Sequence, residues 1–286
     1  MQKRILSIIL APCLSLLSCN VMALNCGGDA SQNIVSSNNY IFQILNYIDS
    51  PVDNIKKETR TAITKDDNNT PIVSTTHVIE YDQNGQITQS KYDFYFEQNK
   101  RVYSEYLHKT KLGWENIIED AEDKTTSVIE FNADEQGRII KSQQLKKALD
   151  FIFIETDNYQ YDDNNCLISK NVKWKLKETD EKGKLTGVNQ EGSSVHTFEY
   201  KDEQLAHVLY DFSNKTKSDT RFSYQYDDNK HLSTIYTTNL FGDKDKTEYI
   251  TQFLSFNDKQ DWLTASKIRK DQPNKHTDIV RELTYY

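Results

Sequence analysis

Glycine and proline are scarce in this sequence, with 9 and 4 copies in 286 residues, so it is neither collagen-like nor a low-complexity linker. Basic residues are outnumbered: 35 Lys and Arg stand against 43 Asp and Glu, and the net charge of -8 argues against a nucleic-acid partner. A mean hydropathy of -0.76 excludes a multi-pass helical membrane protein. Aromatic residues are abundant, and 17 Tyr with 12 Phe argue against plain disorder.

The first residues have the pattern of an export signal. Lys3 and Arg4 form a short basic segment, and an apolar run over residues 5–17 follows it. This run has the length of a signal-peptide core and is too short to span a bilayer. We therefore expect residues 1–18 to be a signal peptide of the lipoprotein type.

Two cleavage sites follow the apolar run. Residues 16–19 resemble a bacterial lipobox, which would make Cys19 the site of lipidation, and the run ends immediately before it. The acyl chains would then hold the protein at the membrane, and Asn20 is not the aspartate that retains lipoproteins at the inner membrane. This predicts an outer-membrane lipoprotein facing the periplasm. Cleavage after Ala23 is the alternative, and it predicts a soluble periplasmic or secreted protein.

Cysteine gives little further information. Cleavage at Cys19 leaves Cys26 and Cys166 for ordinary thiol chemistry. An exported location permits a disulfide between these two residues, but a single pair does not define a disulfide framework. Two isolated thiols are the alternative.

Six related segments repeat along the rest of the chain. Each has a large apolar residue, a polar residue, an aromatic residue and a turn-forming residue, an alternation typical of a β-strand. A polar turn and a second apolar anchor follow each segment, which predicts hairpins with an apolar face and a charged face. The segments are residues 79–82, 129–132, 159–162, 198–201, 224–227 and 254–257, and the anchors are Ile87, Ile139, Leu167, Leu205, Leu232 and Trp262.

Further strand-like stretches lie between the repeats, and no proline occurs over residues 72–272. Proline is excluded from interior strands, so its absence favours one long antiparallel meander. About a dozen to sixteen strands exceed what an open twisted sheet usually holds. We therefore expect residues 51–286 to form an all-β domain with a curved or barrel-like sheet.

One helix is predicted before the sheet. Asn38 and Asn39 could cap a helix over residues 40–48, whose apolar residues have helical spacing. The helix would cover one opening or edge of the sheet, and another strand is the alternative. Residues 19–37 are polar and rich in Asn and Ser, so residues 19–50 are interpreted as a tether and a short helix.

Residues 81–87 resemble the unit of RHS/YD-repeat proteins, which begins with Tyr-Asp and continues with Gly, Arg and Leu. Here the unit is Tyr81, Asp82, Gln83, Asn84, Gly85, Gln86 and Ile87. The other five units are degenerate: two of them keep Tyr-Asp, and unit two has Gly137, Arg138 and Ile139 after Phe131 and Asn132.

The order of segments resembles uncharacterised bacterial lipoproteins of the YnfC type. A lipoprotein-type leader is followed by Pro51 and Val52 before the first strand, by a hairpin at residues 159–163, and by a last strand that ends on Tyr285 and Tyr286. The resemblance implies a membrane-anchored lipoprotein, and it transfers no catalytic residue.

Motifs that carry chemistry are sparse. None of the six histidines has the spacing of a common metal site; His196 and His207 flank one hairpin and are expected on its surface. The acidic turns at residues 66–69, 162–165 and 227–229 lack the spacing of an EF-hand, so we interpret them as ordinary turns. Calcium binding is the alternative. The sequence has no nucleophile elbow, P-loop or dinucleotide fingerprint. No catalytic residue, metal or cofactor is predicted.

We therefore expect a non-enzymatic envelope lipoprotein with an interaction or structural role and a protein partner in the envelope. The alternative is a specific binding module, such as a toxin-immunity partner or a glycan binder. The regular placing of the repeat aromatics favours a core role over glycan stacking. A hydrolase is a third class, and the lysine-rich strand at residues 172–177 argues against an outer-membrane barrel.

Overall fold

A computed structural model describes residues 24, 26–42, 54–96, 100–121, 125–148, 151–180, 184–212, 219–228, 231–241 and 245–286. These residues form helix α1 (Ala30–Phe42) and sixteen strands. The strands are β1 (Ile55–Lys65), β2 (Pro71–Tyr81), β3 (Ile87–Phe96), β4 (Lys100–Lys109), β5 (Gly113–Asp120), β6 (Thr125–Ala133), β7 (Ile139–Lys147), β8 (Phe151–Tyr161), β9 (Leu167–Thr179), β10 (Leu185–Lys201), β11 (Gln204–Phe212), β12 (Asp219–Tyr226), β13 (Leu232–Phe241), β14 (Asp245–Phe256), β15 (Trp262–Arg269) and β16 (Gln272–Tyr285). The predicted all-β fold with one N-terminal helix is confirmed.

The sheet is an antiparallel meander that closes on itself. Each strand pairs with the strands before and after it in the sequence, and β16 pairs with β1. The closing pair aligns Glu58 with Leu283 and Ala62 with Ile279, so inward-facing residues from both ends of the sheet meet. Closure leaves none of the sixteen strands with an unpaired edge, which removes the usual route to edge-to-edge aggregation.

Turns at one end of the barrel share a backbone arrangement. After β2, the Asp82 carboxylate accepts hydrogen bonds from the backbone N–H groups of Asn84 and Gln86, and Gly85 has a φ of 78°. Equivalent capping residues are Asp134, Asp162 and Asn257, and equivalent residues with positive φ are Gly137, Asn165 and Gln260. Glycine and asparagine tolerate this conformation best, so the interpretation of these segments as turns is confirmed.

The repeat supplies the barrel core on its inner face. All six predicted anchors are buried, with exposures of 0 to 2%. The tyrosines of three repeats also donate a hydrogen bond to the carbonyl of the preceding repeat's anchor. These bonds join Tyr161 to Ile139 at 2.7 Å, Tyr200 to Leu167 at 2.7 Å and Tyr226 to Leu205 at 2.9 Å. These three tyrosines therefore link their hairpins to the preceding ones, besides burying apolar surface.

Helix α1 lies earlier than the sequence pattern predicts. It begins at Ala30, because the Asp29 carboxylate accepts hydrogen bonds from the backbone N–H groups of Ser31 and Gln32 and so caps the first turn. The predicted capping pair, Asn38 and Asn39, is buried inside the helix. The prediction of a helix starting at residue 40 and a tether over residues 30–37 is therefore wrong, and residues 43–48 lie outside the described part of the chain.

The buried asparagines explain why the helix is so polar. Asn38 donates to the carbonyl of Gly137 at 2.8 Å and accepts from the backbone N–H of Ile139. Asn39 makes the same pair of contacts with Gly85 and Ile87. The helix therefore packs its amides against the backbone of two hairpin turns, and it fills one end of a barrel whose sixteen strands leave a wide interior.

The outer face of the barrel carries charge. On β9, Val172, Trp174 and Leu176 line an internal cavity, so the alternate residues of the same strand face outward. These alternate residues are Lys173, Lys175 and Lys177. Glu191 of β10 lies opposite Lys175 and forms an exposed ion pair with it at 3.6 Å.

Candidate ligand-binding cavities

The first cavity, called the cationic cavity below, lies inside the barrel between Phe42, the last residue of α1, and the far ends of the strands. Its volume is about 450 Å³, and its walls come from β1 to β5 and from β14 to β16. Four cationic side chains line it, Arg60, Lys267, Arg269 and Lys275, against one carboxylate, Glu105. The volume is within the range of small-molecule sites in proteins.

A buried charge cluster lies beside the cationic cavity, and one of its members, Arg60, lines the cavity. Glu58 has no exposed surface, and its carboxylate contacts Arg60 and Arg281 at 2.6 Å each and the Tyr81 hydroxyl at 2.9 Å. Both guanidinium groups also lie near the Trp262 ring, at 5.7 and 5.0 Å from its centroid. Burial alone would raise the pKa of Glu58, but the two arginines hold that pKa down at about 2. Two guanidinium groups therefore flank this one buried carboxylate.

The cationic wall continues along β15 and β16. Lys267 is half-buried, and its ammonium group lies 5.0 Å from the centroid of the Tyr249 ring. Burial lowers the pKa of Lys267, although Tyr249 acts in the opposite direction. Arg269 forms a two-contact ion pair with Asp271, at 2.6 and 2.8 Å, while Lys275 is exposed. Lys267 is therefore the cation set into the wall, and the other two lie nearer to solvent.

Aromatic and hydroxyl groups form the opposite part of the cationic cavity. Tyr92 and Phe94 of β3 line it, and His77 of β2 packs edge-on against Tyr92 with ring centroids 5.6 Å apart. Burial and the nearby Arg60 lower the pKa of His77 to about 4, so this imidazole is neutral at pH 7. Glu105 accepts hydrogen bonds from Tyr103 at 2.6 Å and from Asn116 at 2.9 Å.

A second cavity, the aromatic cavity, has a volume of about 530 Å³ and lies against β8 to β11. Phe153 and Trp174 stand side by side in its wall, with ring centroids 6.5 Å apart. Gly192 makes room for the indole ring, because a Cβ at this position would come within 2.5 Å of the Trp174 ring. His196 stacks on Tyr210 at 3.8 Å.

His196 and His207 lie on opposite faces of the barrel wall. His196 lines the aromatic cavity, and burial lowers its pKa to about 3, with a contribution from Lys170. His207 bonds to Ser223 at 3.0 Å, and β11 places it opposite Glu199. The prediction that His196 is a surface residue is wrong, because the strand register turns its side chain into the barrel.

A smaller connecting cavity of about 190 Å³ borders both others. It shares Glu105 with the cationic cavity and shares Glu155 and Lys170 with the aromatic cavity. Asp157 contacts Lys170 at 2.7 Å and accepts a hydrogen bond from Ser142 at 3.0 Å. Burial, with the neighbouring Asp157, raises the pKa of Glu155. The barrel interior is therefore one series of neighbouring chambers with mixed polar and aromatic walls.

The structure joins Cys26 and Cys166 in a disulfide with Cα atoms 5.7 Å apart. The bond ties the segment before α1 to the turn between β8 and β9. Cys19 lies outside the described residues.

Within the described ranges, no group of three His, Cys, Asp or Glu residues could hold a metal ion. In one of the acidic turns, the Asp162 carboxylate accepts hydrogen bonds from the backbone N–H groups of Asn164 and Cys166.

The sequence alone gave no sign that Glu58, Arg60 and Arg281 are buried inside the barrel. Glu58, Arg60 and Arg281 alternate with polar neighbours as outward charges do, and the expectation that charge lies on the solvent face of each hairpin is wrong for them. The one available clue is the alternation of faces along a strand. Arg60 lies on the same face of its strand as Ala62, and Arg281 lies on the same face as Ile279. Only the closing pair of strands brings the two arginines together.

No protein-family model matches this sequence, and a comparison with curated proteins finds no match. Among solved structures, a porin-like protein from Bacteroides uniformis is similar, with 10% identity, a TM-score of 0.48, and coverage of 82% of this chain and 98% of that one. TcdB2-TccC3-TEV is similar at 9% identity and a TM-score of 0.17, over 84% of this chain and 17% of that one. TcdB2-TccC3-Cdc42 has 10% identity and a TM-score of 0.16, over 76% and 15%.

No helix in the described part of the chain is long and apolar enough to cross a membrane.

Proposed function

We propose that this protein is a non-enzymatic binding protein of the bacterial cell envelope and that its barrel holds a small organic ligand. The cationic cavity carries the proposal, because its volume of about 450 Å³ and its mixture of aromatic and polar walls match the sites that bind small molecules. The neighbouring interior carboxylates Glu105 and Asp157 are engaged in hydrogen bonds with surrounding side chains. This supports a structural role for them and a binding role for the chamber.

The proposal is tested by filling the cavity. Ala62 lines it, and Thr61, the preceding residue of β1, faces the outer surface. A pair of fluorescent naphthalene probes, neutral dansylamide and anionic dansyl sulfonate, is titrated into the purified protein. We expect saturable binding with blue-shifted emission for at least one probe, and about a tenfold or greater loss of affinity in Ala62→Trp.

Thr61→Trp is the matched control, since it adds the same indole to the other face of the strand. Its affinity for the probe should equal that of the wild-type protein. If neither probe binds saturably, or if Ala62→Trp binds as tightly as Thr61→Trp, the interior is not a ligand site and the proposal fails.

The envelope location rests on the leader and on two structural features. A Cys26–Cys166 disulfide supports export, because such bonds persist in oxidising compartments. Lysines that face outward on β9 support a water-facing barrel, since a lipid-facing barrel needs an apolar outer band. Acyl chains on Cys19 would attach such an exported, water-facing barrel to the membrane, in line with the resemblance to YnfC-type lipoproteins.

Lipidation predicts a simple biochemical result. Cys19→Ser should abolish incorporation of labelled palmitate and move the protein from the membrane fraction to the soluble periplasmic fraction. Cys13→Ser, which changes a cysteine inside the apolar run, should leave both readouts unchanged. Label that persists in Cys19→Ser would contradict lipidation at Cys19, whereas a wild-type protein that takes up no label would favour cleavage after Ala23 and a soluble exported protein.

A further inference from the structure

We propose that the cationic cavity selects amphipathic organic anions, and that Lys267 binds the anionic group while the aromatic wall holds the apolar body. The inference rests on the proposed function, since it names the ligand class of the same chamber. It is carried by the distribution of charge, by the burial of Lys267 and by the chemistry of the facing wall.

The charge of the cavity is opposite to that of the protein. The whole chain carries a net charge of -8, yet the cavity has four cationic side chains against one carboxylate. Of these side chains, Arg269 pairs with Asp271 and Arg60 pairs with Glu58. A chamber with a positive surplus inside a low-dielectric wall attracts anions more strongly than an exposed patch of the same charge.

Lys267 is the cation best placed to contact a bound group. It is half-buried in the wall, and β15 places it opposite Thr277, which also lines the cavity. Thr277 in turn bonds through its hydroxyl to Thr64 at 2.8 Å. The Lys267 ammonium group lies 5.0 Å from the centroid of the Tyr249 ring on this wall, and a carboxylate, sulfonate or phosphate oxygen bound in the cavity would accept a charge-assisted hydrogen bond from it.

The rest of the wall requires an apolar body on the ligand. Phe42 forms the floor beside Leu107 and Ile279, all three of which are buried, and Phe94 and Tyr92 rise from it along β3. Small inorganic anions would contact only the cationic side and leave this apolar surface to water. An anion that carries an aromatic or aliphatic group satisfies both sides, which is how specific pockets combine apolar walls with few polar contacts.

The two dansyl probes test the inference, because they share one ring system and differ in charge. Dansyl sulfonate should bind the wild-type protein about tenfold or more tightly than dansylamide. Lys267→Met should remove most of this preference while retaining dansylamide binding, and Lys267→Arg should keep the preference because it keeps the positive charge. Lys173→Met, which removes an outward-facing lysine, should behave as the wild-type protein.

Competition separates amphipathic from inorganic anions. We expect 2-naphthoate to displace dansyl sulfonate at concentrations where inorganic phosphate does not, and salt to weaken sulfonate binding more than dansylamide binding. Equal affinities for the two dansyl probes, or a preference unchanged in Lys267→Met, would refute the selection of anions while leaving interior binding intact. Equal displacement by phosphate would refute the apolar requirement. If Lys267→Met does not fold, the salt dependence of the wild-type protein decides the question of charge.

Discussion

Replacing Glu58 by Gln should lower the free energy of unfolding by about 3–5 kcal/mol, the usual cost of breaking a buried ion pair on one side. The substitution keeps the size of the side chain but leaves Arg60 and Arg281 with no anion between them, and both arginines are buried. Urea denaturation followed by circular dichroism measures the change. Glu191→Gln is the control, because it removes an exposed partner of Lys175 and should cost less than about 1 kcal/mol.

The Glu58 carboxylate should also make the stability of the fold depend on pH in the acid range. The folded state holds the pKa of Glu58 at about 2, below its ordinary value of 4.5, so the carboxylate stabilises the fold above pH 4.5. That stabilisation, about 3 kcal/mol, is lost as the pH falls from 4.5 through 2, because the unfolded chain takes up the proton first. Glu58→Gln should lack this part of the pH dependence. A wild-type and a variant protein that lose stability in parallel over this range would show that the cluster does not hold the carboxylate ionised.

Removing the disulfide should lower the free energy of unfolding by an amount similar to that expected for Glu58→Gln. Cys26 and Cys166 are 140 residues apart, and closing so long a loop in the unfolded chain is worth about 4–5 kcal/mol when chain entropy dominates. The double variant Cys26→Ser, Cys166→Ser should therefore unfold at a clearly lower urea concentration than the oxidised wild-type protein. The bond also holds the segment before α1 against the barrel, so the amides of α1 should exchange faster with solvent in the variant.

A reducing agent supplies the control for the disulfide. It should bring the wild-type protein to the stability of the double variant and should leave the double variant unchanged. A reducing agent that lowers the stability of both proteins equally would point to a cause other than this bond. Equal stability of the oxidised wild-type protein and the double variant would mean that strain in the folded state cancels the entropic gain.

The repeat made most of the fold predictable from sequence. Six spacings between an aromatic residue and an apolar anchor located the hairpins, and all six anchors are buried in the structure. The absence of proline over residues 72–272 correctly indicated a long uninterrupted meander. Strand number indicated a curved or barrel-like sheet, since an open twisted sheet usually keeps fewer strands, but only the structure shows that the sheet closes.

The rest depends on contacts that have no local signature. The polar segment at residues 30–37 resembled a tether because the helix that it forms buries amides, and their partners are the carbonyls of distant turns such as Gly85 and Gly137. The charge cluster joins Glu58 to Arg281, 223 residues away, through the pairing of the first and last strands. Interior charges are therefore visible only once the register of the closed barrel is known.

The end of the barrel that α1 fills also determines how the protein would stand on a membrane. Leu24 accepts a hydrogen bond from Leu205 beside the turns at that end. Cys19 precedes Leu24 by five residues, which can span at most roughly 18 Å. Acyl chains on Cys19 would thus hold the closed end near the bilayer, and the strand ends around Thr64 and Gln272, where the cationic cavity lies, would point away from it. Such an anchored barrel would collect its ligand from the periplasmic fluid rather than from the lipid.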